Sequence, residues 1–140
     1  MKKYMPFIIL MALLTVGCAG GGSESDAQIL ASITANLKAM EREDVDGTMA
    51  TIDPSSGGYE MTKEMIKVIF EQYDLKYELS DLKVIKRSDK EAEVGFTQIT
   101  RKATGPDFRN NKITGVHILK KSDGVWRIFS SQIKTTEYLD

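Results

Sequence analysis

The sequence has little of several residues on which protein chemistry commonly depends. It contains one cysteine, Cys18, and one histidine, His117, so no internal disulfide can form and a conventional metal site is not expected. Basic and acidic residues nearly cancel, 19 against 20, which excludes a strongly basic nucleic-acid-binding protein. Hydrophobic residues make up 41% and charged residues 28% of the 140 residues, so we expect one globular domain rather than a disordered or fibrous chain.

The first residues have the pattern of a bacterial export signal. Two lysines precede an apolar run over residues 7–16, which is too short to cross a bilayer as a helix. The run ends with Gly17 before Cys18 and resembles the lipobox of bacterial lipoproteins, with Thr15 at a position where that pattern prefers leucine. The resemblance implies that Cys18 is lipidated and becomes the mature N-terminus. The alternative is an ordinary cleaved signal with a leftover cysteine.

These features divide the chain into three parts. We predict a signal peptide over residues 1–17, a lipidated cysteine with a flexible glycine-rich tether over residues 18–25, and a folded domain over residues 26–140. In such lipoproteins an aspartate after the cysteine signals retention in the inner membrane, and here Ala19 follows it. We therefore expect a lipid-anchored protein of the bacterial cell envelope, on the outer membrane and facing the periplasm if the host has two membranes.

The first half of the domain is predicted to be helical. Ser25 and Gln28 form a capping box for a helix that runs to about Glu43, and apolar residues recur along it every three or four positions. Asp44 is the predicted N-cap of a short second helix, and a third helix is predicted over residues 62–73. Each of these helices has one apolar face, which indicates that it covers a sheet.

From Leu75 onward the apolar period changes from near 3.6 to 2, which is typical of strands. Asp123-Gly124 is a strong hairpin signal, because both residues tolerate the positive φ of tight turns. We predict four strands, over about residues 75–84, 92–99, 113–121 and 125–136. Helices followed by strands with short turns predict an α+β fold in which N-terminal helices pack on a curved, four-stranded antiparallel sheet.

This order resembles the nuclear transport factor 2-like superfamily, including its SnoaL-like branches. The matching features are the segment from Tyr73 to Tyr77 and, above all, the closing hairpin, in which Asp123-Gly124 is followed by Trp126-Arg127-Ile128. The resemblance covers about residues 26–140. It implies a cystatin-like cone, in which the curved sheet wraps a helix and leaves a cavity used for catalysis, binding or dimerisation. Fold alone does not choose among these uses.

His117 is the one side chain with an ordinary pKa near neutrality. With a two-residue loop at Asp123-Gly124, His117 pairs with Ser130 and shares the face of Trp126. With a bulge at Gly124, it lies on the other face beside Phe129. A purely structural or surface histidine is the alternative to a ligand-binding one.

Three further side chains are candidates for ligand binding. Gln98 and Gln132 each follow an apolar stripe of a strand inward, and buried amides need polar partners or water, so they suggest a wet cavity. The alternative is that both point outward. Arg109, in the loop between the second and third strands, is positioned to reach over a cavity mouth to an anionic ligand, unless it is a solvated loop residue.

These observations predict a non-catalytic, lipid-anchored domain that binds a small molecule, a peptide or an envelope protein. The strand carboxylates alternate with apolar residues and therefore face solvent, so no catalytic residue, cofactor or metal is predicted. One alternative is a hydratase or isomerase that uses His117 with a carboxylate from Asp53 or Asp107. Another is a dimeric assembly module that pairs two copies through the open sheet face.

Trp126 is predicted to be structural. It and Ile128 alternate with Arg127, so their shared face is the buried one. The third helix has an apolar stripe of similar size, and we expect Trp126 to pack there, near Ile69 or Phe70.

Overall fold

The computed structural model describes residues 21–139, with side chains from Asp26 onward. Its elements are α1 (Gly21–Glu41), α2 (Val45–Ala50), α3 (Tyr59–Gln72), β1 (Asp74–Arg87), β2 (Glu91–Thr104), β3 (Asn111–Ser122) and β4 (Val125–Tyr138). The predicted α+β fold, with helices preceding a four-stranded antiparallel sheet, is confirmed. The predicted signal peptide and Cys18 lie outside the described residues. Across residues 21–139, no helix combines the length and apolarity needed to span a bilayer.

The helices differ from the prediction mainly in where they begin. Within the described residues α1 is helical from Gly21 onward, so Ser25 lies inside it rather than at its N-cap, and residues 21–25, predicted to belong to the tether, are helical. Helix α3 begins at Tyr59, three residues before the predicted start at residue 62. Helix α2 is capped as predicted, because the Gly47 amide donates to Asp44 Oδ1 at 2.8 Å.

The core lies between α1 and the inner face of the sheet. The strand order is β1-β2-β3-β4, and each neighbouring pair is antiparallel. Ile29 and Ile33, four residues apart on one face of α1, are buried against strand residues Ala92, Val94, Leu119, Trp126 and Ile128. Full burial of one such aliphatic side chain contributes about 1.5–3 kcal/mol, so the packing of α1 is a principal source of stability.

The β3–β4 hairpin has the two-residue loop that the sequence allowed. Ser122 pairs with Val125, and both loop residues have positive φ, 52° at Asp123 and 75° at Gly124. This combination matches the right-handed twist of the flanking strands, which explains why Asp-Gly is favoured here.

Strand β4 departs from a regular ladder five residues beyond the loop. Leu119 pairs with Ile128, but Ile118 pairs with Ser130, so Phe129 is an extra residue in a β-bulge. A second register shift lies between the partners of Thr114 and Gly115. Each extra residue reverses the alternation of faces along β4 relative to a regular strand.

Trp126 is buried, with 6% of its surface exposed, but the prediction that it packs against α3 is wrong. It belongs to the core cluster of Ile29 and Ile33 on α1, and Ser32 Oγ donates to the Trp126 carbonyl at 2.8 Å. The physical reason is the connection between α2 and α3. It crosses the edge of β4 at Ile128, and α3 follows beyond that point, away from Trp126.

Candidate ligand-binding groove

His117 lies on the inner face of the sheet, where its ring stacks on Phe96. The two ring centroids are 4.0 Å apart and the rings are 9° from parallel. Gly115 is the neighbour of Phe96 on β3, and a Cβ there would lie 3.0 Å from the Phe96 ring and 2.4 Å from the Gln132 carbonyl oxygen. The absence of a side chain at Gly115 therefore leaves room for the stacked pair.

The bulge at Phe129 decides the polar partner of His117. The two-residue loop puts His117 on the face of Trp126, but His117 pairs with Ser131 and not with Ser130. Its Nδ1 lies 2.7 Å from Ser131 Oγ. Burial lowers the pKa of His117 from 6.5 to about 4, because the charged ring loses its hydration. At neutral pH the ring is therefore uncharged and acts as a hydrogen-bonding group.

The structure does not join His117 to a carboxylate. Between residues 26 and 139, no ion pair or side-chain hydrogen bond connects His117 to an aspartate or glutamate. Asp53 is buried, but its Oδ1 accepts from the Ser55 amide at 2.8 Å and from Ser55 Oγ at 2.6 Å, and the Ser55 hydroxyl lowers its pKa. Asp107 is exposed in the β2–β3 loop. The pair required by an isomerase-type mechanism is not assembled.

An open hollow of about 500 Å³, here called the α3–β4 groove, lies between α3 and the bulged part of β4. It is lined by Ile52, Ser56, Gly57, Gly58, Thr62, Met65, Ile128, Phe129, Ser130 and Ser131. None of these side chains is charged, so the groove offers hydroxyls, backbone groups and apolar surface. Such a lining suits an uncharged or largely apolar ligand.

The apolar surface beside the groove is exposed. On α3, Ile66 is buried, whereas Met61 and Met65 are 75% and 55% exposed. On β4, Ile133 and Tyr138 are 52% and 53% exposed, although their pairing places them on the inner face. The core packing of α1 does not extend to this part of the sheet. Met61 and Met65 lie one turn apart on α3, and exposed apolar side chains grouped in this way mark interaction sites more often than scattered ones do.

The four predicted ligand-binding residues are not brought together. Gln98 is on the inner face, partly buried, and its Nε2 donates to Thr100 Oγ1 at 3.2 Å. Gln132 is exposed and pairs with Val116 on the outer face. Of the two orientations considered from the sequence, it has the outward one. Both glutamines were expected to share a face, and the bulge in β4 separates them.

Arg109 is exposed, and its guanidinium carbon lies 3.7 Å from the centre of the Tyr138 ring. This cation–π contact holds Arg109 against the end of β4. Tyr138 lies seven residues along β4 from Ser131, the partner of His117, so Arg109 and His117 are at different ends of the inner face.

The groove contains residues that the sequence did not single out. Ser131 and Met65 carry no motif, and their proximity depends on the bulge and on the path of the α2–α3 connection. In the sequence, Met65 belongs to the apolar stripe of the third helix, yet it is 55% exposed in the structure. Among the described residues, no group of three or more histidine, cysteine, aspartate or glutamate side chains could hold a metal ion.

Solved structures with the same architecture confirm the cone fold. A ketosteroid isomerase-like protein from Erwinia carotovora atroseptica has a TM-score of 0.60 at 23% identity, over 84% of this chain and 98% of that one. An NTF-2 like protein of unknown function from Shewanella oneidensis has a TM-score of 0.58 at 17% identity, over 79% and 98%. A protein of unknown function with a cystatin-like fold from Nostoc punctiforme reaches 0.66 at 14% identity, over 79% and 90%. At these identities the likeness concerns the fold alone.

Sequence relatives place the domain more specifically. The model of the C-terminal domain of anti-sigma-I factor RsgI9 matches residues 31–139. The anti-sigma-I factor RsgI9 of Acetivibrio thermocellus is 32% identical over 103 residues, which are 74% of this chain and 14% of that protein. This chain thus spans about a seventh of the length of that relative. The chain belongs to the family of RsgI9 C-terminal domains and has the nuclear transport factor 2-like cone fold.

Proposed function

We propose that this protein is a lipid-anchored component of the bacterial cell envelope whose cone domain is a non-catalytic binding module. The observation that carries the proposal is the α3–β4 groove, which is open, uncharged and bordered by exposed apolar side chains of α3 and β4. A surface of this kind binds a ligand or a partner without further chemistry.

The state of His117 supports binding over catalysis. A general base works best with a pKa near the working pH, whereas burial lowers the pKa of His117 to about 4. Its Nδ1 is engaged by Ser131 at 2.7 Å, and the buried Asp53 is bonded to Ser55. In this proposal, His117 is a neutral hydrogen-bonding group that holds Ser131, and Ser131 lines the α3–β4 groove.

The family relationship supports a role in recognition. The matching segment is about 14% of the length of a protein named as an anti-sigma-I factor, so the same domain is one part of a much longer protein there. A domain that is joined to different neighbouring segments in different proteins is typical of a module that recognises a signal or a partner. In this chain, we propose that the companion is a lipid anchor at Cys18.

The groove can be tested by placing a charge in it. The change Met65→Glu should reduce the amount of small molecule or peptide that co-purifies with the protein at least tenfold, because a carboxylate disfavours an apolar ligand. Native mass spectrometry of the purified variants measures this. Val68→Glu is the matched control, since Val68 is 49% exposed on α3 but does not line the groove. Equal loss in both variants, or no loss in either, would contradict the proposal.

The anchor can be tested at Cys18. The change Cys18→Ser should move the protein from the detergent phase to the aqueous phase after phase separation, because no acyl chain can then be attached. Metabolic labelling with a fatty acid should disappear in the same variant. Ser23→Ala, five residues further along, should behave as the unmodified chain does. Membrane association that persists in Cys18→Ser contradicts lipid anchoring.

A further inference from the structure

We infer that the free edge of β4, from Ser130 to Tyr138, binds an extended peptide segment of a partner protein as an added fifth strand. The inference rests on the proposed binding role of the α3–β4 groove and names the class of partner. The edge of β4 forms one side of that groove, and α3 forms the other.

The chain itself begins such a fifth strand and then stops. Ile52 forms a parallel bridge with Ile128, in which the Asp53 amide donates to the Ile128 carbonyl at 2.8 Å and the Ile128 amide donates to the Thr51 carbonyl at 2.9 Å. The two groups that would continue the ladder are used in the chain's own turn, because the Ser55 amide donates to Asp53 Oδ1 at 2.8 Å and the Ser56 amide donates to the Asp53 carbonyl at 3.0 Å. The chain then turns away into α3, and within residues 21–139 the rest of the edge has no neighbouring strand.

The remaining edge is long and free within the described chain. All nine residues of β4 from Ser130 to Tyr138 are exposed. Within residues 21–139, these nine residues form backbone pairs with β3 alone, which lies on the side of β4 opposite to the free edge. The amide and carbonyl of Ile128 point away from β3, and following the register from there places the next outward-pointing groups on Ser131, Ile133 and Thr136.

The two edges of the sheet differ in how they are protected. In β1, seven of fourteen residues are charged, and two register shifts interrupt the strand beyond Ser80. Charges and bulges of this kind prevent edge-to-edge pairing. The free part of β4 has two charged residues in nine, Lys134 and Glu137, and is otherwise serine, threonine, glutamine, isoleucine and tyrosine. It has no proline and is therefore competent to pair.

The side chains around the edge define the partner. A row of outward backbone donors and acceptors is satisfied by another extended backbone and not by a small molecule, which could reach only one or two of them. Towards α3, alternate partner side chains would meet Met65, Ile133 and uncharged groove residues, and these positions should be apolar. The existing bridge at Ile52 is parallel, whereas two copies of β4 related by a twofold axis would pair antiparallel. A peptide that continues the parallel strand fits better than a second copy does.

The experiment uses the full chain in detergent and a defined probe, a decapeptide of alternating threonine and valine with a lysine at each end. Hydrogen exchange of the backbone amides is followed by NMR as the peptide is added. We expect exchange to slow at least tenfold at Ser131, Ile133 and Thr136. The same peptide with its central amide nitrogens methylated cannot form the ladder and should give no protection.

Two isoleucine-to-lysine variants isolate the edge. Ile133→Lys places a charge on the groove side of β4 and should weaken peptide binding at least tenfold, because an inward charge blocks edge pairing. Ile85→Lys adds the same charge to β1, at the opposite edge of the sheet, and should bind the peptide as the unmodified chain does. The two residues are 52% and 56% exposed, so both variants are expected to fold.

Three outcomes would overturn the inference. The first is absence of edge protection at peptide concentrations up to about 1 mM, a range that includes weak recognition. The second is protection that rises with protein concentration in the absence of peptide, which indicates pairing between copies. The third is binding of a small molecule that is lost in Met65→Glu while the edge amides remain unprotected by peptide. That third result would retain the proposed function and remove only the peptide partner.

Discussion

Replacing Trp126 with alanine is expected to lower the free energy of unfolding by about 3–5 kcal/mol, as is usual for a buried tryptophan. Trp126 is 6% exposed and lies in the cluster that joins α1 to the sheet. Its removal leaves a cavity next to Ile29 and Ile33. Domains of this size are stable by about 5–15 kcal/mol, so the variant should unfold at a much lower urea concentration or fail to fold at all.

A second variant separates packing from hydrogen bonding at this position. Among residues 26–139, the buried Trp126 Nε1–H has no hydrogen-bond partner, so this group adds no hydrogen bond to the fold and loses its hydration on burial. Trp126→Phe keeps most of the apolar volume and removes that group, and it should cost far less than alanine does. Urea unfolding followed by circular dichroism compares the two. If Trp126→Ala keeps its stability but loses a bound ligand, the side chain is a binding platform and our assignment of a core role is wrong.

The second large effect is a dependence of stability on pH that comes from His117. In the folded protein its pKa is lowered to about 4, whereas in the unfolded chain it is about 6.5. Between these two values the unfolded chain binds a proton that the folded protein does not, so stability falls as the pH decreases from 6.5 to 4. The full difference is about 3 kcal/mol, and above pH 6.5 His117 contributes nothing to the slope.

The variant His117→Gln tests this interpretation. Glutamine has no proton to gain in this range and is able to bond to Ser131, so the variant should lose the pH dependence between 6.5 and 4. A decline below about pH 4 should persist, because Asp53 has a lowered pKa and loses its stabilising charge there. Urea unfolding at pH 7 and pH 4.5 measures the difference. An NMR titration that places the pKa of His117 near 6.5 would contradict the burial argument.

Much of the fold follows from residue patterns that act over short distances. The change of period at Leu75, the cap at Asp44 and the turn at Asp123-Gly124 each depend on a few neighbouring residues, and each appears in the structure. The same patterns correctly indicate that Trp126 faces inward. They cannot indicate which helix it meets, because that depends on where the α2–α3 connection crosses the sheet.

The groove was less predictable, because it depends on register and not on residue type. The alternation of Trp126, Ile128 and Ser130 predicts one continuous inner face, but the bulge at Phe129 interrupts it. The candidate Gln132 is thereby moved outward, and Ser131, which has no motif, becomes the partner of His117. Bulges arise from backbone twist and packing over the whole sheet, and a single sequence carries little local sign of them.

The bulge at Phe129 determines what the groove offers a ligand. If the same residues formed a regular ladder, Ser130 and Gln132 would turn towards α3 while Ser131 and Ile133 turned to the outer face. Deletion of Phe129 would also give a regular ladder, but every later residue of β4 would keep its present partner and face. Loss of the bulge at constant length can therefore exchange an apolar lining for a polar one without a single substitution. Related domains that differ in this bulge should differ in specificity even where their aligned residues are identical.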